Sequence, residues 1–330
     1  MTGPMTFETR HTIKRAVRCA LPLLLAWVAL PASAHNNNAY VTNQFDGTVS
    51  VIDMATNTVT ATIAVGRVPT SVAVSPDGGH VYVANGRSNS VSVIDTATHT
   101  VTATVPVGNT PLGVTVTPNG ATAYVANGNG DTVSVIDTAT NTVTATVPVS
   151  GLPNAITASP DGAYVYTANC VDNSVAAIDT TSNTVTATVL VGGCPYAVAT
   201  GPLGARVYTA NVDTNNVSVI DTASSTVTAT IAAGNGSTAI AVSPVGIPVY
   251  VGNYADNSVS VINPFNQTTI ATVPVGASPS AIAINRRNGQ VYVTNAESNT
   301  VSVIDPFTNQ VIATINTGRV PSAVAIQPHW

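Results

Sequence analysis

Charged side chains are scarce in this chain of 330 residues, at 8% against roughly 25% in an average soluble protein. Lysine occurs once, as Lys14, and aromatic residues make up only 5%. So little positive charge argues against nucleic-acid binding, because phosphates must be neutralised by lysine and arginine. The near absence of long charged helix formers argues against a helical bundle. The chain is instead rich in Thr, Val, Ala, Ser and Asn, a mixture that favours strands and turns.

The first 34 residues are predicted to be an export signal. They include a basic region, formed by Arg10, Lys14, Arg15 and Arg18. The apolar stretch that follows, residues 20–30, is too short to span a membrane comfortably, and Ala32-Ser33-Ala34 matches a signal-peptidase site. The alternative is an uncleaved N-terminal anchor. We expect a secreted, periplasmic or cell-surface protein whose mature chain, residues 35–330, has no membrane span.

A strict 42-residue repeat runs through the rest of the chain. One asparagine recurs in every unit, as Asn43, Asn85, Asn127, Asn169, Asn211, Asn253 and Asn295. Each is preceded three residues earlier by a tyrosine, and each is followed ten residues later by an aspartate, except that Asn263 replaces it once. No insertion breaks the register, which indicates seven equal units in equal environments.

Each unit has the pattern of four short strands separated by turns. In the unit that spans residues 70–107, the predicted strands are 70–75, 81–85, 91–95 and 101–107. Four antiparallel strands in a unit of this length are typical of a β-propeller blade. We therefore predict an all-β, seven-bladed propeller as a single domain over residues 35–330.

The two ends of the repeat array are complementary. The mature chain starts at a second strand, residues 39–43, and ends with an unaccompanied first strand, residues 322–326. Together these strands complete one blade from both termini, which closes the ring and leaves no blade without a neighbour.

The tetrapeptides that end each second strand carry a family resemblance. They read YVTN at 40–43 and 292–295, YVAN at 82–85 and 124–127, YTAN at 166–169 and 208–211, and YVGN at 250–253. The mature chain closely resembles the YVTN family of β-propeller repeat proteins. The resemblance implies a seven-bladed propeller in a secreted or surface protein. The wider superfamily includes lactonase-like and haem-d1-binding propellers, and fold analogy alone does not choose among them.

Residues that are the same in all seven units are best explained by the needs of the blade itself. Functional residues are expected where the units differ, on the rim that carries the loops after the second strands and the loops that link the blades. One group of candidates there is basic: Arg67, Arg87 and Arg319. The other is acidic: Asp46, Asp131, Asp172, Asp213, Asp256 and Glu297. Asn154 and Tyr196 are further candidates, because they begin inner strands where other units place Thr, Ser or Leu.

No catalytic, cofactor or metal site is predicted. The mature histidines are terminal (His35, His329) or fall on the opposite rim (His80, His99), so none is placed as a base or ligand at the predicted mouth. A ring of aspartates is left as a weak candidate for a cation. Cys170 and Cys194 are predicted to form a disulfide in an oxidising compartment, and two separate thiols are the alternative.

Three functions are compatible with these features. The favoured one is a monomeric, non-catalytic module that binds a protein, a glycan or a surface component. The second is a lactonase-like or lyase-like enzyme, which needs convergent polar residues at one mouth, including a base. The third is a structural module of a cell surface or surface layer.

Overall fold

Short strands alternate with tight turns throughout the part of the chain that the structure describes. The computed structural model describes residues 37–328, so the predicted signal segment lies outside the described residues. Within this range the one helical element is a short 3-10 turn, Gly128–Gly130. No helix of the described residues is long and apolar enough to cross a membrane.

The described residues form 28 strands. The first fourteen are β1 (Asn38–Asn43), β2 (Thr48–Asp53), β3 (Thr58–Ala64), β4 (Pro69–Val74), β5 (His80–Asn85), β6 (Ser90–Asp95), β7 (Thr100–Pro106), β8 (Pro111–Val116), β9 (Thr122–Asn127), β10 (Thr132–Asp137), β11 (Thr142–Pro148), β12 (Pro153–Ala158), β13 (Tyr164–Asn169) and β14 (Ser174–Asp179). The others are β15 (Thr184–Leu190), β16 (Pro195–Thr200), β17 (Arg206–Asn211), β18 (Asn216–Asp221), β19 (Thr226–Ala232), β20 (Ser237–Val242), β21 (Val249–Asn253), β22 (Ser258–Asn263), β23 (Thr268–Pro274), β24 (Pro279–Ile284), β25 (Val291–Asn295), β26 (Thr300–Asp305), β27 (Gln310–Asn316) and β28 (Pro321–Ile326).

The strands form seven separate four-stranded antiparallel sheets, which are the blades. Blade 1 has the order β28-β1-β2-β3, and blades 2 to 7 each take the next four strands of the chain, β4–β7 through β24–β27. The predicted seven-bladed propeller with one composite blade is therefore confirmed. In the unit used to predict the strands, each observed strand begins one residue earlier than expected, and the first of them starts at Pro69.

The innermost strands form a closed ring around the propeller axis. Each first strand packs against the first strand of the next blade, and β24, β28 and β4 complete the circle. Apolar side chains fill the space between blades. Tyr40, Val49 and Val51 of blade 1, for example, share a core cluster with Val83 and Ile94 of blade 2. Each such side chain contributes about 1.5–3 kcal/mol on burial, so the ring depends on every blade having two neighbours.

The composite blade is bound on both sides. Strand β28 pairs with β1, and Val324 lies opposite Val41 in the register. The Ser322 hydroxyl donates to the carbonyl of Pro69 in blade 2 at 2.8 Å. Gln327 donates from Nε2 to the carbonyl of Gly78 at 2.8 Å. The C-terminal strand therefore joins the N-terminal strand to the neighbouring blade.

The residues that repeat in every unit stabilise its turns and the contacts between its blades. In blade 1, Asn43 Nδ2 donates to the hydroxyls of Thr48 at 3.0 Å and Ser50 at 2.9 Å. Asp53 Oδ1 accepts the Ala55 N–H at 2.7 Å, inside the next turn. The repeated tyrosines are buried between blades, and burial raises the pKa of Tyr292 to about 12. These contacts agree with a structural role for the shared residues.

Candidate functional site

The turns after the second strands and the links between blades lie side by side. The Gly86 N–H donates to the carbonyl of Val68 at 2.8 Å, and the Arg87 N–H donates to that of Arg67 at 3.2 Å. Equivalent bonds recur around the ring, for example from Val212 to Cys194 at 3.0 Å. We call this side of the propeller the link rim. All the candidate residues from the sequence lie on it or at its inner edge.

Asp46 lies among the arginines, apart from the other acidic candidates. Its Oδ1 is 2.6 Å from Arg319 Nε, and its Oδ2 accepts the Arg319 N–H at 2.6 Å. The hydrogen bond from the backbone of Arg319, followed by that from its side chain, lowers the pKa of Asp46. Both carboxylate oxygens are thus engaged, and this pair connects the turn of blade 1 to the link that leads into β28.

Two more acidic candidates hold links in place. Asp256 accepts the Asn235 N–H at 2.7 Å and Asn235 Nδ2 at 3.0 Å, and these bonds lower its pKa. Asp131 accepts the Leu152 N–H at 2.9 Å. Ser88 accepts a link N–H in the position equivalent to Asp256, from Arg67 at 2.9 Å. Because a neutral serine makes the same bond in the link between blades 1 and 2, the bond that Asp256 accepts has a structural role in positioning the link.

The other acidic candidates are more loosely held. Asp172 accepts the Ser150 hydroxyl at 2.7 Å, and Glu297 accepts the Tyr254 hydroxyl at 3.4 Å. Asp213 is exposed at its turn, and its backbone N–H donates to the carbonyl of Gly193 at 3.1 Å. Within the described residues, no group of three or more His, Cys, Asp or Glu side chains is placed to hold a metal.

Arg67 and Arg87 line a pocket with a volume of about 490 Å³ between blades 1 and 2. Both side chains are exposed, and neither forms an ion pair within the described residues, where Arg319 pairs with Asp46. Phe45, which is 68% exposed, lines the same pocket. Phe45 was not among the candidates from the sequence, although it is the single aromatic residue at its position, the second after the repeated asparagine.

Asn154 and Tyr196 meet at the inner edge of the rim. Asn154 Nδ2 donates to the carbonyl of Tyr196 at 2.8 Å, from blade 4 to blade 5. In blades 2 and 6 the equivalent residues are threonines whose hydroxyls bond to the carbonyl of the next inner-strand proline, at 2.8 Å and 3.0 Å. The amide therefore provides an inter-blade bond of the same kind, and the Tyr196 side chain is 43% exposed.

The predicted disulfide is present between Cys170 and Cys194. Their Cα atoms are 3.9 Å apart, and 24 residues separate them in the chain. Cys170 lies in the turn after β13, and Cys194 lies in the link before β16, so the bond joins blade 4 to blade 5 on the link rim.

A family model places the chain among proteins of known fold. The model described as "YNCE-like beta-propeller" matches residues 14–119 and 79–235. The class that the seven blades define is therefore the repeat β-propeller, and the chain belongs to the YNCE-like β-propeller family.

Solved structures of other propellers are similar over most of their length. Hydrazine synthase from Kuenenia stuttgartiensis matches with a TM-score of 0.76 at 26% identity, over 82% of this chain and 92% of that one. A protein of unknown function from Desulfotomaculum acetoxidans matches with a TM-score of 0.78 at 19% identity, over 88% and 98%. A protein from Bacteroides uniformis, named as a candidate 6-phosphogluconolactonase, matches with 0.74 at 20% identity, over 88% and 99%. The two likenesses at 19% and 20% identity show the fold alone.

A curated relative matches a segment shorter than one repeat. PE-PGRS family protein PE_PGRS18 from Mycobacterium tuberculosis is 64% identical over 39 residues, which are 12% of this chain and 8% of that protein. The match is shorter than one 42-residue unit, so it reflects the repeat and carries no argument about the function of the whole chain.

Proposed function

We propose that this chain is an exported, non-catalytic propeller that binds a partner through the link rim of blades 1 and 2. The observation that carries the proposal is the pocket where Arg67, Arg87 and the exposed Phe45 meet. Arginine and aromatic side chains supply a large share of the energy of binding sites. Neither arginine is used to stabilise the fold through an ion pair within the described residues.

The chemistry of the acidic residues supports binding over catalysis. A general acid or base at neutral pH needs a carboxyl pKa raised toward 7. The pKa values of Asp46 and Asp256 are shifted the opposite way, because N–H groups of the links donate to their ionised forms. Side chains held in this way keep loops in place and are poorly suited to proton transfer.

Export is part of the proposal. Residues 1–34 have the sequence features of a secretion signal, and the disulfide is consistent with an oxidising compartment outside the cytoplasm. The mature chain has six arginines against fourteen carboxylates, a formal net charge of −8. A monomer in the periplasm or at the cell surface that binds a protein, a glycan or a surface component fits these features.

The test compares one double variant and one single variant for binding to a panel of surface glycans and surface proteins. Arg67→Ala/Arg87→Ala removes the unpaired charges and is expected to weaken binding by about tenfold or more, with little change in melting temperature. Asn127→Ala removes two hydrogen bonds from one blade, a part-buried one to Thr132 and a buried one to Ser134. It is expected to lower the free energy of unfolding by about 1–2 kcal/mol and to leave binding by the folded protein unchanged.

The opposite pattern would contradict the proposal. If the arginine variant binds every panel member as the native protein does, while folded Asn127→Ala loses binding, the site lies on the repeated residues.

A further inference from the structure

One hydrogen bond is repeated at six of the seven junctions between neighbouring blades. The residue directly before each inner strand has a positive φ. At these six junctions its N–H donates to a side-chain oxygen in the turn of the preceding blade. The six donor and acceptor pairs are Thr110 and Asn89, Leu152 and Asp131, Cys194 and Asn173, Gly236 and Asn215, Ser278 and Asn257, and Val320 and Asn299, at 2.7–2.9 Å. A polar oxygen at this position is therefore part of the repeat.

The seventh bond is missing between blades 1 and 2. Gly47 occupies the acceptor position there, with a φ of 64° close to the 49° of Asn89, so the backbone is equivalent and the side chain is absent. The corresponding donor is the N–H of Val68, whose φ of 54° is nearly the same as the 55° of Thr110. Within the described residues this N–H has no hydrogen-bond partner.

The residue with the unpaired N–H lines the pocket of the proposed function. Gly47 and Val68 both line it, together with Arg67, Arg87 and Phe45. Asp46 also lines it, but its carboxylate is neutralised by Arg319. The pocket therefore offers two free guanidinium groups and one backbone donor, which are groups that together favour an oxyanion.

The ring itself indicates which anion fits. In the equivalent position between blades 3 and 4, the acceptor is the carboxylate of Asp131, 2.9 Å from the N–H of Leu152. A planar carboxylate thus occupies this position in one blade already. Phe45, exposed beside it, offers an aromatic face against which the ring of a sugar can pack, as aromatic side chains do with apolar surfaces.

Resting on the proposed function, we infer that the pocket binds the carboxylate of an acidic sugar of the uronic acid type. One carboxylate oxygen accepts the Val68 N–H in place of the missing side chain. The other lies between Arg67 and Arg87, and the sugar ring packs on Phe45.

The central test is Gly47→Asn. Asparagine occupies five of the equivalent positions at a positive φ, and a Cβ at Gly47 meets no atom closer than the carbonyl oxygen of Gly66 at 3.4 Å. The variant is expected to fold, to satisfy the Val68 N–H internally and to block the ligand. Methyl glucuronide and methyl galacturonide are titrated into the native protein and the variant by calorimetry. We expect affinity for at least one uronide to fall about tenfold or more in Gly47→Asn.

Matched controls separate the parts of the inference. Methyl glucoside has a hydroxymethyl group in place of the carboxylate of methyl glucuronide and is expected not to bind. Asn89→Gly frees the N–H of Thr110 next to Asn109 and Asn129 instead of two arginines, and it is expected to gain no uronide binding. N-acetylglycine carries a single carboxylate without a sugar ring and is expected to bind more weakly than the uronides.

Each other outcome overturns a defined claim. If folded Gly47→Asn binds uronides as the native protein does, the site is wrong. If N-acetylglycine binds as tightly, the sugar assignment is wrong. If the native protein binds neither uronide at millimolar concentration, the inference fails, whereas the proposed function fails only if the arginine variant keeps its binding in the partner panel.

Discussion

A chain that ends at Val320 is expected to lose most of its stability. This truncation removes β28, and with it the pairing to β1, the Ser322 bond to Pro69 and the burial of Val324. The inner edge of blade 1 and the faces of its two neighbours become exposed. The loss of several buried side chains and ladder hydrogen bonds corresponds to about 5 kcal/mol or more, enough to unfold or aggregate a marginally stable domain.

The measurement is urea or thermal unfolding followed by circular dichroism. The matched control ends at Pro328, so it keeps β28 and removes only the last two residues of the chain. The truncation at Val320 also keeps Arg319 and its bond to Asp46, which isolates the effect of the strand. Equal melting temperatures for the two truncated chains would show that the ring does not need β28.

Loss of the disulfide is expected to have the second largest effect. The double variant Cys170→Ala/Cys194→Ser uses residue types that the repeat already accepts at these positions. Ala296 is the equivalent of Cys170 in another unit, and Ser278 is an equivalent of Cys194. On the chain-entropy estimate, a loop of 24 residues contributes about 3 kcal/mol, so the melting temperature is expected to fall by roughly 5 °C. The variant has no thiols left in residues 35–330.

A reducing agent provides the control for this prediction. Dithiothreitol is expected to lower the stability of the native protein toward that of the double variant and to leave the variant itself unchanged. A native protein that unfolds at the same urea concentration with and without complete reduction would contradict a stabilising role for the bond.

The fold was predictable because the sequence repeats without a single insertion. Seven tyrosine and asparagine pairs at intervals of 42 residues fix the number of blades, and the mismatched ends, β1 and β28, indicate how the ring closes. The disulfide was predictable for the same reason, because the repeat places Cys170 and Cys194 on one rim. The start of the inner strand was uncertain by one residue, since proline can begin an inner strand or end a link.

The detailed chemistry of the link rim was harder to predict. The contact between Asp46 and Arg319 joins residues 273 positions apart, and it depends on side-chain geometry that the repeat does not specify. Gly47 is informative only through an absence, because it lacks the oxygen that six other turns supply to a link. The missing oxygen could not be recognised from the sequence, because only the structure shows that residues 21 positions apart bond across neighbouring blades.

The most direct test of the account is amide hydrogen exchange, resolved by residue, at the seven link positions that precede the inner strands. We predict that the N–H groups of Thr110, Leu152, Cys194, Gly236, Ser278 and Val320 exchange slowly, since each is bonded to a side chain of the preceding blade. The Val68 N–H is predicted to exchange markedly faster than all six, and to become slow in Gly47→Asn. Protection of Val68 equal to that of its six equivalents in the native protein would contradict the account.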